Sequence, residues 1–190
     1  MIGSQLAQQQ PGSPRDAQDR PSFVGSHRAL AVCTREFGRL AGEVALALTA
    51  LNVAGEMEKA LIVQSPGRCI AQVGPVALTI TWLRSRLDVV ADGELLVVVW
   101  HGNVAPPSAR FRERVSKGPT STASGAGPSA EALWEEVLSV RAESEESWRW
   151  LPTAASATAD AAGTSYTSTA LAERSVERLR LAYAEHHTDA

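Results

Sequence analysis

The chain has 190 residues, 44% of them apolar, a formal net charge of −3 and two cysteines, Cys33 and Cys69. That length suits one ordinary domain, and the near-balanced charge gives no general attraction to nucleic acid or acidic membranes. Two cysteines are too few for a disulfide scaffold, and no run of about 18 apolar residues offers a membrane span.

Residues 1–25 are rich in Gln, Pro and Ser, with little to bury, and read as a disordered tail. The first residues lack both the basic and the apolar region of a secretory leader, so the sequence points to the cytoplasm. A domain over 26–190 follows. Ser26 is placed to cap a long helix reaching Asn52 or Gly55. Its stripe is Leu30, Cys33, Phe37, Leu40, Val44, Ala47 and Leu51, widened by Ala41 and Leu48. The width favours a helix lying on a sheet over a coiled-coil seam. Gly38 and Gly42 each cost a helix interior about 1 kcal/mol against Ala. They mark either a close helix approach or simple tolerance.

Lys59–Gln64 and Arg68–Val73 read as a hairpin joined by Ser65-Pro66-Gly67, whose Pro and Gly suit a type II turn. Gly74-Pro75 turns the chain into the apolar stretch Val76–Gly102. There Ala91-Asp92-Gly93-Glu94 is the strongest local signal, because Asp-Gly suits a type I′ hairpin tip. Centring a hairpin on it sets Val89 opposite Leu96 and Leu87 opposite Val98. A second turn at Arg84-Ser85 then sets Ile80 opposite Val89. One apolar face follows: Leu78, Ile80, Trp82, Leu87, Val89, Leu96, Val98 and Trp100. The reverse face carries Leu83, Val90, Leu95, Val97 and Val99, too apolar to be simply wet. The sheet so far has about five strands.

Residues 103–128 read as a flexible insert containing a basic loop, Arg110 to Lys117. With Phe111 as its one aromatic and no glycine cradle, nucleic-acid binding is disfavoured. Ser129 is placed to cap a second helix with Leu133, Trp134, Val137 and Leu138 on its apolar side. Glu143–Glu146 reads as exposed. Ser147–Leu151 alternates as a strand, so Trp148 and Trp150 point the same way. A helix near 154–162 is a weak reading. Thr167 or Ser168 caps a last helix with the stripe Ala172, Val176, Leu179 and Tyr183. Glu173, Arg174, Glu177, Arg178 and Arg180 form its outer face. This helix is a candidate cover for the reverse face of the sheet.

The chemistry is thin. The four histidines, His27, His101, His186 and His187, have no metal-ligand spacing, and no phosphate, nucleophile-elbow or DNA-reading motif occurs. No catalytic residue, metal or cofactor is expected. The fold class is α+β: an antiparallel sheet with a long N-terminal helix and a C-terminal helix, in two layers or with helices on both faces. The favoured function is a non-catalytic binding or protein-interaction module. Its partner, a second copy or another protein, would dock on Leu83, Val90, Leu95, Val97 and Val99. The alternative is a small enzyme or ligand carrier with a pocket between sheet and helices near Trp82, Trp100, His101, Trp148 and Trp150.

Overall fold

A computed structural model describes residues 23–83, 89–104, 130–153 and 164–187. It is an α+β fold built on a six-stranded antiparallel sheet. The elements are α1 (His27–Val53), β1 (Leu61–Ser65), β2 (Arg68–Val73), β3 (Val76–Leu83), β4 (Glu94–His101), β5 (Glu131–Arg141), β6 (Arg149–Pro152) and α2 (Ser168–His187). Each strand pairs with its neighbour in sequence, in the order β1-β2-β3-β4-β5-β6. No described helix is long and apolar enough to cross a membrane.

Local chemistry sets the ends of α1. The Ser26 hydroxyl accepts a bond from the Ala29 N–H at 3.3 Å, which satisfies one orphan donor of the first turn. At the other end Gly55 takes φ +74°. Its N–H and that of Glu56 bond back to the carbonyls of Asn52 and Leu51, the Schellman arrangement. Phe23–Gly25 forms a 3-10 turn before the cap, and Phe23 and Val24 pack against the core. The expected tail therefore stops short of these three residues, and the remainder of it lies outside the described residues.

Both helices lie on one face of the sheet. The core between the layers joins Val32, Phe37, Leu40 and Val44 of α1 to Leu171, Val176, Leu179 and Tyr183 of α2. From the sheet it takes Cys69, Ala71 and Val73, then Val76, Leu78, Ile80 and Trp82, then Leu95, Val97 and Val99. The last helix does not cover the reverse face, as the sequence suggested; it packs beside α1. Arg174 is not on its outer surface either, because it turns inward to an ion pair with Glu136.

The hairpin expected at Asp92-Gly93 does not form. Val90–Asp92 is a 3-10 turn, and Gly93 has φ −87°, a conformation open to any residue. β3 pairs directly with β4, with Ile80 opposite Val97 and Trp82 opposite Leu95. The expected strand through Leu87 and Val89 is absent at Val89, while 84–88 lie outside the described residues. Gly93 is required for a different reason. A Cβ there would sit 2.3 Å from Cζ2 of Trp82, so the Trp82 ring lies flush against its backbone.

This register exchanges the two faces of β4. Leu95, Val97 and Val99 lie under the helices at 0% exposure, Val90 is buried beside them, and Leu83 alone points away at 43%. Four of the five residues expected to form a partner-docking surface are therefore core, and Leu83 is the one left exposed. Leu96, Val98 and Trp100 occupy the reverse face instead. There Ile70, Ala77, Thr79 and Val98 are also buried within the single chain. Thr81, Leu96 and Trp100 on that face are half-buried.

The second expected helix is strand β5. Trp134, Glu136, Leu138 and Val140 alternate inward along it, and pairing to both β4 and β6 overrides a composition of good helix formers. β6 carries Trp148 and Trp150 to the inner face, as the alternation predicts. The proposed cap Ser129, the Arg110 to Lys117 loop and the segment 154–162 fall outside the described residues.

Candidate binding pocket beneath the first helix

The five aromatic and histidine candidates do not converge. Trp82, Trp148 and Trp150 meet under the helices in edge-to-face contacts. Ring centroids are 5.9 Å apart for Trp82 and Trp150 and 5.7 Å for Trp148 and Trp150. Such pairs add specific geometry to the burial of large apolar area. Trp100 lies on the opposite face, where its indole N–H donates to the Thr79 hydroxyl at 2.9 Å. His101 stands at the end of β4 and stacks on His186 of α2 at 4.4 Å. Near Trp100 and His101 the described residues thus show a stacked imidazole pair and a hydrogen-bonded indole.

Two recesses flank α1. The first is a cleft of about 700 Å3 between α1, the Glu143–Trp148 loop and the start of α2. Its charges are largely answered from within. Arg28 and Arg35 both engage the Glu145 carboxylate. Hydrogen bonding from Arg28, then its charge and that of Arg35, hold the Glu145 carboxyl below the usual carboxylate range. Deeper in, the Trp150 indole donates to the Ser168 hydroxyl at 3.1 Å, which donates to Glu36 at 2.9 Å. That chain ties β6, α2 and α1 together.

The second recess is apolar. It holds about 330 Å3 between α1 and the β1–β2 turn, with Cys33, Phe37 and Gly38 on one wall, Ser65 and Pro66 on the other, and Trp82 lining it as well. The turn is fixed by Gly67 at φ +74°, the value a type II turn needs at its third position. The Gly67 carbonyl accepts from the Trp82 N–H at 2.7 Å, so the turn is fastened to β3. Gln64 closes one end by donating its side-chain amide to the Ala41 carbonyl at 3.3 Å. Neither Gly38 nor Gly42 marks a close helix approach, since a Cβ at either would meet nothing within 4 Å. Gly38 leaves the pocket wall open.

Of the sequence candidates, Trp82 alone lines this pocket. Phe37 and Cys33 were legible as core stripe but not as a wall, and the one pointer to an opening was a glycine inside a helix.

Burial pushes the Cys69 thiol up to about 11, which keeps it protonated and poorly nucleophilic at neutral pH. Among the described residues no three metal-ligating side chains come together. No protein-family model, curated protein or solved structure matches this chain.

Proposed function

We propose that this chain is a non-catalytic binding module whose site is the apolar pocket between α1 and the β1–β2 turn. The pocket itself carries the reading. Its volume of about 330 Å3 falls at the lower end of the range for ligand sites, about 300–1,000 Å3, and its walls combine apolar side chains with a few polar groups. The buried, protonated thiol of Cys69 and the engaged imidazole of His101 favour binding over catalysis. Cys33 and Cys69, both buried, suit a reducing compartment, so we assign the module to the cytoplasm.

The test is Gly38→Leu. Space is open where its Cβ would stand, and Gly38 lines the pocket, so the larger side chain should fill the pocket mouth. Removing a helix-interior glycine stabilises the helix by up to about 1 kcal/mol. Titration with the dye 1-anilinonaphthalene-8-sulfonate should give a fluorescence rise with the wild-type chain and about tenfold weaker binding with Gly38→Leu. The thermal midpoint should be equal or higher. Equal dye binding by both proteins would refute the assignment.

A further inference from the structure

The sheet ends on two edges that are finished differently. Outside β6, Tyr166 closes the ladder: its N–H and C=O exchange bonds with Trp150 at 2.8 and 2.9 Å. β1 has β2 as its one strand neighbour among the described residues. Antiparallel ladders alternate bonded and non-bonded pairs, and a two-residue turn begins the ladder with a bonded pair, here Ser65 and Arg68. The same alternation assigns the Val63–Ile70 and Leu61–Gln72 pairs to the β1–β2 ladder. The N–H and C=O of Ile62 and Gln64 therefore face away from β2. Leu61–Ser65 contains no charge and no proline, two of the usual devices that blunt an edge.

The pocket adjoins this edge, and Gln64 and Ser65 belong to both. In a strand laid along β1, the residue opposite Gln64 projects on the same face as Gln64. That face lies under α1, where the Gln64 amide already reaches Ala41. Its side chain would enter at the wall that Gly38 leaves open. From this juxtaposition of an open edge and an adjoining apolar pocket, we propose that the natural occupant is an extended peptide segment. It adds a seventh strand through the main chain of Ile62 and Gln64 and seats one apolar side chain in the pocket. This rests on the reading of the pocket above and names its ligand class. A second copy of this chain fits less well, because a five-residue edge falls far short of the about 20 residues a side that stable interfaces bury. A compact small molecule would leave the outward groups of Ile62 and Gln64 unused.

The experiment selects nine-residue peptides from a random display library on the full chain and remakes the enriched sequences with single backbone N-methyl groups. Strand addition predicts alternation: methylation at every second central position weakens binding about tenfold or more, and the intervening positions change it by less than about twofold. Gln64→Pro removes an outward donor without removing a bond to β2, but also the amide bond to Ala41, so it is read against Gln64→Ala, which loses that amide alone; the peptide should bind more weakly to Gln64→Pro than to Gln64→Ala. Gly38→Leu should weaken it too. Equal sensitivity at every methylated position overturns strand addition. If Gly38→Leu still blocks that peptide, the pocket reading survives alone. A library that yields no Gly38-dependent binder overturns the peptide proposal, and the dye titration then decides the pocket independently. A concentration-dependent dimer abolished by Gln64→Pro would assign the edge to a second copy and overturn it as well.

Discussion

The ion pair between Glu136 and Arg174 gives the sharpest test of the packing. Glu136 is 2% exposed on the inner face of β5, and Arg174 of α2 is 26% exposed. The guanidinium bonds both carboxylate oxygens, Nε to Oε2 at 3.1 Å and Nη2 to Oε1 at 3.5 Å. Its head also lies 5.8 Å from the Trp134 ring centroid and 5.4 Å from that of Tyr166. Arg174→Met keeps the stem and removes the charge, leaving a buried carboxylate unpaired. Breaking a buried pair in this way costs about 3–5 kcal/mol, and the partial exposure of Arg174 places this case near the lower end. Lost cation–π attraction adds about 0.5–1 kcal/mol. The sum, about 4 kcal/mol, corresponds to about 10 °C in thermal midpoint for a chain of this size. The double variant Glu136→Leu with Arg174→Met removes both charges and should return to within about 1 kcal/mol of wild type, or exceed it. Urea unfolding followed by tryptophan fluorescence measures all of these and yields the coupling energy. A loss under about 1 kcal/mol in Arg174→Met, or a double variant at the sum of the two singles, would refute the buried pairing.

Three further outcomes are expected. Gly93→Ala forces a Cβ toward the Trp82 ring, at 2.3 Å before relaxation, and should cost about 1–3 kcal/mol with a changed near-ultraviolet circular dichroism spectrum. Thr167→Ala removes the hydroxyl that accepts from the Ala170 N–H at 3.1 Å and should cost about 1 kcal/mol in urea unfolding. Cys69, raised to about 11 when folded, should resist a thiol-specific disulfide reagent in the native state and react once unfolded. Because the folded thiol holds its proton longer than the unfolded one, stability falls as pH rises from about 9 toward about 11, and Cys69→Ala should flatten that decline.

The elements that declared themselves in the sequence are those whose pattern and punctuation agree. The stripe of α1, its Ser26 cap and its Gly55 stop converge on one helix, and Pro66-Gly67 fixes a hairpin between two alternating runs. The expected register of β4 failed because Leu95 to Trp100 is apolar on both sides. Either face could be the inner one, and the register then rested on two turns, Arg84-Ser85 and Asp92-Gly93. That glycine answers to the Trp82 ring, a contact across the fold that no local rule describes. β5 failed for the opposite reason. Its inward positions include Glu136, so the apolar alternation is broken at the point where a buried ion pair stands. The pocket was less visible still, because its walls come from α1, the β1–β2 turn and β3, which only packing brings together.

Burial of the central strands bears on where an interaction can occur. Most of the excess of Leu and Val that suggests an exposed contact surface is absorbed by the core: Leu95, Val97 and Val99 are buried on the inner face, and Ile70 and Val98 on the reverse face. Apolar content alone therefore predicts stability here rather than association. What the fold leaves open is the margin: a strand edge with outward amides, and a seam where a helix with a glycine in its wall meets a turn. Both lie at β1. Filling the seam with Gly38→Leu, and blocking the edge with Gln64→Pro measured against Gln64→Ala, perturb two separate features of one place. If binding is lost through one and not the other, the pair of variants identifies which feature holds the ligand.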